Sequence, residues 1–182
     1  NLKILAKVQN KKLIKLWEGL GYYSRARNLK KTAQIIIKKF NGKLPNNFED
    51  LIILPGIGNY TASAILALAF NKPYIPLDGN IERVLKRYLY LKKAKEIKKD
   101  NLIKKKSIFG ISSRSRDYAQ ALMELGALIC KPNNPKCNQC PILKNCKSYK
   151  KNDFNLIKNK KKNKEKYFVL KVYKKDQRYL LI

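Results

Sequence analysis

Four cysteines, Cys130, Cys137, Cys140 and Cys146, are the only ones in the chain, and they follow one another as C-x6-C-x2-C-x5-C. Thiolates this close in sequence can enclose one metal centre, and a [4Fe–4S] cube takes four cysteine ligands. Zinc also accepts four thiolates. Its usual sites pair two C-x2-C knuckles, however, and only one such pair occurs here. Disulfides would need an oxidising compartment, for which the chain carries no recognisable signal. An iron–sulfur cluster is therefore the first expectation, with zinc and disulfides as its rivals.

Two further motifs could do chemistry. Leu54-Pro-Gly-Ile-Gly58 lies between two helix-like segments. Gly56 and Gly58 permit positive φ and clear side chains from the turn. Backbone N–H groups could then meet an anion at the start of the helix near Asn59. Such a helix-hairpin-helix holds a phosphate without reading bases. An ordinary turn between helices is the plain alternative. Asp78, in Leu77-Asp-Gly-Asn-Ile-Glu-Arg-Val84, opens another helix. Aspartate is a good N-cap. The cap and the helix dipole would also hold it ionised, placed to stabilise positive charge growing on a substrate.

The elements that must position these residues are helical. The chain has 182 residues and is 45 % hydrophobic, enough for a sizeable core. No apolar run reaches the ~18 residues of a membrane span. The net charge of +30 points to a polyanion, although heavy use of lysine alone could produce it. Helices are expected over 11–19 (Leu13, Ile14 and Trp17 inward) and 24–40 (Ala26, Leu29, Ala33, Ile36, Ile37). Others are expected from Asn47 to Leu54, from Asn59 to Phe70, from Asp78 to about Leu91, and over 113–129 (Tyr118, Ala121, Leu122, Leu125, Leu128). A weakly patterned lysine-rich stretch separates the last two. The body is thus expected to be all-α, followed by strand, turn and strand over 167–182. The expected units are a helical domain over 1–129, a cluster loop over 130–148, a solvated basic linker over 149–166, and the first strands of a further domain over 167–182.

Together, LWEGLGYYSRARNLKKTA, LPGIGNYTASAILALAF, PLDGNIERVLKR and ALMELGALIC with the cysteine loop resemble the endonuclease III superfamily of DNA glycosylases. They most resemble its A/G-specific adenine-excising branch. The resemblance covers about residues 11–148, with four motifs in order. It implies a helix-hairpin-helix glycosylase fold with a [4Fe–4S] cluster on the four cysteines. It further implies hydrolysis of the N-glycosidic bond of adenine paired with 8-oxoguanine or guanine in double-stranded DNA. The protein would be a monomer with no membrane association, in the bacterial cytoplasm at the nucleoid.

Residue by residue, Asp78 matches the aspartate that stabilises the cationic sugar, with Tyr60 and Asn80 supporting it. Gly56 and Gly58 match the phosphate-holding turn. Tyr22 matches a tyrosine that wedges into the duplex, against the alternative of core packing. Since adjacent tyrosines cannot share a helix face, Tyr22 or Tyr23 should be exposed. Arg25 and Arg27 are expected phosphate contacts, with a solvated helix face as the alternative. Strand-cleaving members carry a lysine where Tyr60 stands, and a phenol cannot form their imine. The family's general acid is a glutamate on a helix ahead of the region where this chain begins, and Glu18 and Glu49 lie in the wrong motifs to replace it. The chain is therefore expected to be the middle of a longer enzyme, inactive alone. The rival reading is a non-catalytic module that binds DNA and scans for lesions.

Overall fold

The computed structural model describes residues 1–92, 113–154, 156, 172–175 and 178–181. The lysine-rich stretch after Leu91, most of the expected 149–166 linker, and residues 167–171 of the first expected strand lie outside them.

The described elements are α1 (Leu2–Lys7), α2 (Asn10–Leu16), α3 (Ser24–Lys39), α4 (Phe48–Ile52), α5 (Asn59–Ala64), α6 (Gly79–Leu89), α7 (Ser115–Glu124) and α8 (Lys147–Lys150). Both α5 and α7 run on into a π-helical turn, over Ile65–Ala69 and Leu125–Ile129. Two short strands, β1 (Val172–Lys175) and β2 (Arg178–Leu181), pair antiparallel with Val172 opposite Leu181. The body is helical, as the periodicity indicated.

Two apolar cores hold it. In the first, α3, α4 and α5 bury Ile36, Leu51, Leu54, Ala62 and Leu66. In the second, α6 and α7 bury Leu77, Ile81, Val84, Leu85, Leu122 and Leu125, with Cys130 and Cys140 packed at its edge. Side chains of this kind are each worth about 1.5–3 kcal/mol when fully buried, so the two cores carry most of the stability.

Several expected inward positions point elsewhere. In α3, Ala26, Ala33 and Ile36 are buried and Ile37 is half-buried. Leu29 is exposed, and Thr32 is buried in its stead. The hairpin packs on the Asn28–Thr32 side of α3, and Thr32 Oγ1 donates to Pro55 O at 3.0 Å. In α7, Ala121 is exposed and Leu128 is 62 % exposed. The π turn winds more residues per revolution, so Leu128 rotates outward and Ile129 takes the place against the core. The expected solvated linker also begins as folded chain. Asp153 pairs with Lys92 and accepts from Tyr90 Oη at 2.8 Å, while Leu156 is buried. Its lysines hid an acidic and apolar segment, Asp153 to Leu156, that docks on the end of α6.

Candidate functional site

The hairpin is a turn between α4 and α5. Asn47 caps α4 by accepting from Asp50 N at 2.8 Å, and Ile57 N closes the turn on Leu54 O at 3.0 Å. Gly56 has φ +82°, and a Cβ there would stand 3.0 Å from Asn28 Cβ. Glycine is needed at that position on both counts. Gly58 differs from expectation: its φ of −97° suits any residue, and a Cβ there would meet nothing within 4 Å. What its missing side chain provides is an open face at the N-terminus of α5, where no side chain caps the first N–H groups. The helix begins with donors turned to solvent, the arrangement that takes a phosphate oxygen.

Asp78 caps α6, its Oδ1 accepting from Ile81 N at 2.7 Å. Its Oδ2 is touched by Asn80 Nδ2 at 3.4 Å. One oxygen is thus fixed by the backbone and the other is left for chemistry. Asn80 Oδ1 in turn accepts from Arg83 at 2.9 Å. Arg83 is 6 % exposed, and it also donates to Gly126 O at 2.6 Å and to Cys130 O at 2.8 Å. Burial lowers its pKa, while Cys130 and Asp78 oppose that. Gly126 admits Asn80 by having no side chain, since a Cβ would stand 2.9 Å from Asn80 Cβ. Tyr60 stays outside this network: its ring is 43 % exposed on the first turn of α5, and among the described residues it makes no hydrogen bond to Asp78.

The four cysteines line one pocket, together with Arg87, Ile129, Leu143 and Phe154. All four are free thiols, so the disulfide alternative does not describe this structure. Among the described residues, no three metal-binding side chains are grouped as one ion requires. The thiol set could take a [4Fe–4S] cube or zinc, since both accept four thiolates. Burial, then the neighbouring thiols, push the Cys137 pKa up, and burial does the same for Cys140. Protons held there would be released as metal binds. Arg87 is 3 % exposed and ties the loop to α6. It donates to Lys131 O at 2.6 Å, Pro132 O at 2.7 Å, Phe154 O at 3.3 Å and Cys130 Sγ at 3.5 Å.

The sequence reading missed Arg83 and Arg87. The signal was present: with Asn80 they form one stripe at helical spacing beside the apolar Ile81–Val84–Leu85 face of α6. Arginine on such a stripe asks for buried acceptors.

Tyr22 is 82 % exposed and Tyr23 is 38 % exposed, so the core-packing alternative for Tyr22 falls. Neither residue lies within a helix. Tyr22 has φ +49° in the loop between α2 and α3. Arg25 is exposed at the start of α3. Its guanidinium lies over the rings of Trp17 and Tyr22 and donates to Leu20 O at 3.0 Å. Arg27 is exposed on α3. No helix among the described residues is long and apolar enough to cross a membrane.

Residues 1–106 match the model of the HhH-GPD superfamily base excision DNA repair proteins. The chain is 49 % identical over 156 residues to the adenine DNA glycosylase of Buchnera aphidicola subsp. Baizongia pistaciae, covering 84 % of this chain and 43 % of that one. It is 36 % identical over 154 residues to the human adenine DNA glycosylase, covering 81 % of this chain and 28 % of that one. The chain thus spans less than half the length of these relatives. Among solved structures, a thermostable thymine-DNA glycosylase superposes with a TM-score of 0.72 at 29 % identity, over 82 % of this chain and 70 % of that one. A non-covalent endonuclease III–DNA complex superposes with a TM-score of 0.66 at 28 % identity, over 83 % of this chain and 70 % of that one.

Proposed function

We propose that this chain, which belongs to the HhH-GPD superfamily of base excision DNA repair proteins, supplies the DNA-holding and sugar-side half of an adenine DNA glycosylase. The substrate is adenine opposite 8-oxoguanine or guanine in duplex DNA, flipped out of the stack for cleavage of its N-glycosidic bond. Asp78 carries the reading. It is held by the α6 backbone through one oxygen and presents the other beside Asn80. Bond cleavage leaves an oxocarbenium-like sugar, which an oriented carboxylate stabilises. Asp78 and Asn80 together then orient the water that completes hydrolysis. Tyr60 offers no amine, so the reaction ends at hydrolysis and the strand stays intact.

Gly56, Gly58 and the first turn of α5 grip a phosphate, and the +30 charge draws in the duplex. Tyr22 is the wedge beside the flipped base. Cys130, Cys137, Cys140 and Cys146 hold a [4Fe–4S] cluster, which closes the loop onto α6 when bound. Iron-loaded chain should carry about four irons, the stoichiometry of a cube on four thiolates.

The chain holds no acid in the family's adenine-protonating motif. It is therefore expected to bind DNA and release little adenine alone, the loss of a general acid being typically ~10²–10⁴ in rate. The second reading, a lesion-scanning module without catalysis, keeps the hairpin and leaves Asp78 only its capping bond to Ile81 N. The test is Asp78→Asn in the protein extended to the length of its relatives. Asparagine caps as well as aspartate. Stability should hold while single-turnover adenine release falls by about 10²–10³, as for loss of one electrostatic stabiliser. Near-normal release would remove the mechanism and leave the fold and the DNA grip.

A further inference from the structure

The loop between α2 and α3 is built tightly for a surface loop. Gly19, Gly21 and Tyr22 have φ of +82°, +62° and +49°. For the two glycines this conformation is free, but for a tyrosine it is strained and must be imposed by its surroundings. The surroundings are two side chains. Trp17 Nε1 donates to Gly21 O at 3.0 Å. Arg25 donates to Leu20 O at 3.0 Å and lies 5.5 Å from the Trp17 ring centroid and 5.6 Å from that of Tyr22. Arg25 also starts α3, its own N–H accepted by Tyr22 O at 2.9 Å. One guanidinium therefore joins the backbone before Tyr22, the ring of Tyr22 and the helix after it. The same α3 carries Thr32, which is bonded to the hairpin at Pro55.

We infer that Arg25 is a positioning residue: with Trp17 it clamps the 17–25 loop so that the Tyr22 ring is presented outward, pre-set for insertion into the duplex. This rests on the wedge role proposed for Tyr22 and replaces the phosphate contact expected from sequence. A flexible tyrosine would lose its freedom on every insertion, whereas the clamp has removed that freedom beforehand. Lysine cannot stand in, because a point charge lacks the planar fork that stacks on two rings and reaches a carbonyl at once.

The two roles for Arg25 predict opposite results. The iron-loaded protein, extended to the length of its relatives, is titrated with an adenine·8-oxoguanine duplex and with the matched adenine·thymine duplex across a range of salt. As a clamp, Arg25→Lys lowers the mispair-over-matched preference by on the order of tenfold, leaves the salt slope unchanged, and adds nothing once Tyr22→Ala is present. As a phosphate contact, Arg25→Lys binds normally and Arg25→Gln reduces the log–log salt slope by roughly 0.9, which overturns the inference. An Arg25→Lys effect that persists in full beside Tyr22→Ala also overturns it, since Arg25 would then act elsewhere. Tyr22→Ala with an unchanged preference overturns the wedge itself, a failure distinct from the other two. Trp17→Phe, which keeps the ring but deletes the donor to Gly21, should lower the preference in the same direction. Unchanged cluster absorbance in each variant excludes a general loss of fold.

Discussion

The hairpin half and the aspartate half of this molecule solve the same problem, fixing a few atoms in place, by different means. Around Leu54–Gly58 the work falls to backbone shape: a positive φ at Gly56, an uncapped helix start, and one side-chain bond from Thr32. Around Asp78 it falls to buried charge. Arg83 and Arg87 reach carbonyls 43 to 67 residues away and tie the start of α6 to the cysteine loop. A turn that must sit at the surface can be held locally. The carboxylate of Asp78 is braced from behind through Asn80 and Arg83, by chain folded late in the sequence. The difference implies that damage to the hairpin should stay local, while damage to α6 should spread to the cluster loop.

Arg87→Ala should break the second half most. It leaves three part-buried carbonyls, those of Lys131, Pro132 and Phe154, without their charged donor at once, and should lower iron content along with the urea midpoint. If iron loading were unaffected, the link between α6 and the loop would not be the one drawn from these hydrogen bonds. Gly126→Ala is smaller and more pointed. Its Cβ meets Asn80 at 2.9 Å, with the Asn80 backbone at 3.1 Å, so one of the two chains must move. Such overpacking costs about 1–3 kcal/mol. Because Asn80 is the displaced group, adenine release in the extended protein should fall further than the stability change accounts for. Equal losses would mean that Asn80 only packs. The smallest effect belongs to the hairpin. Gly56→Ala should cost about 1–3 kcal/mol through its left-handed backbone and Asn28, whereas Gly58→Ala should cost less than about 1 kcal/mol. Both should leave iron content intact. A Gly56→Ala chain that loses iron would erase the contrast between the two halves.

How much of this was legible beforehand follows from the range of each interaction. The cap at Asp78 and the end of α6 near Leu91 are local, set by residue types within a turn of each other. So are the turn at Gly56, the cap at Asn47 and the breaks at Gly19 and Gly21. All of these could be read from sequence. The grouping of the four cysteines was legible because their spacing keeps them in one short stretch, and they line one pocket. Gly58 was half legible: the open face was read correctly, the positive φ was not, since a glycine advertises freedom without saying whether it is used.

Tertiary structure decided the rest. Among 42 lysines and arginines, the stripe of Arg83 and Arg87 beside the apolar face of α6 was the one hint, and it named no acceptor. Their acceptors are carbonyls supplied by α7 and the cysteine loop, so their burial exists only once those parts have packed. Arg25 looked like a phosphate ligand because a charge on a basic face usually faces solvent. What the string did not show is that its guanidinium also meets two rings and a carbonyl, which the left-handed backbone at Tyr22 brings within reach. Leu29 and Leu128 kept helical spacing and still came out exposed, one because the hairpin covers the neighbouring side of α3, the other because a π turn rotated its helix. Sequence by itself determined which atoms could do chemistry and where helices start and stop, since both depend on neighbours along the chain. Which of those atoms are buried, paired or presented depended on distant segments meeting, and on the desolvation that made each charge accept the partner it found.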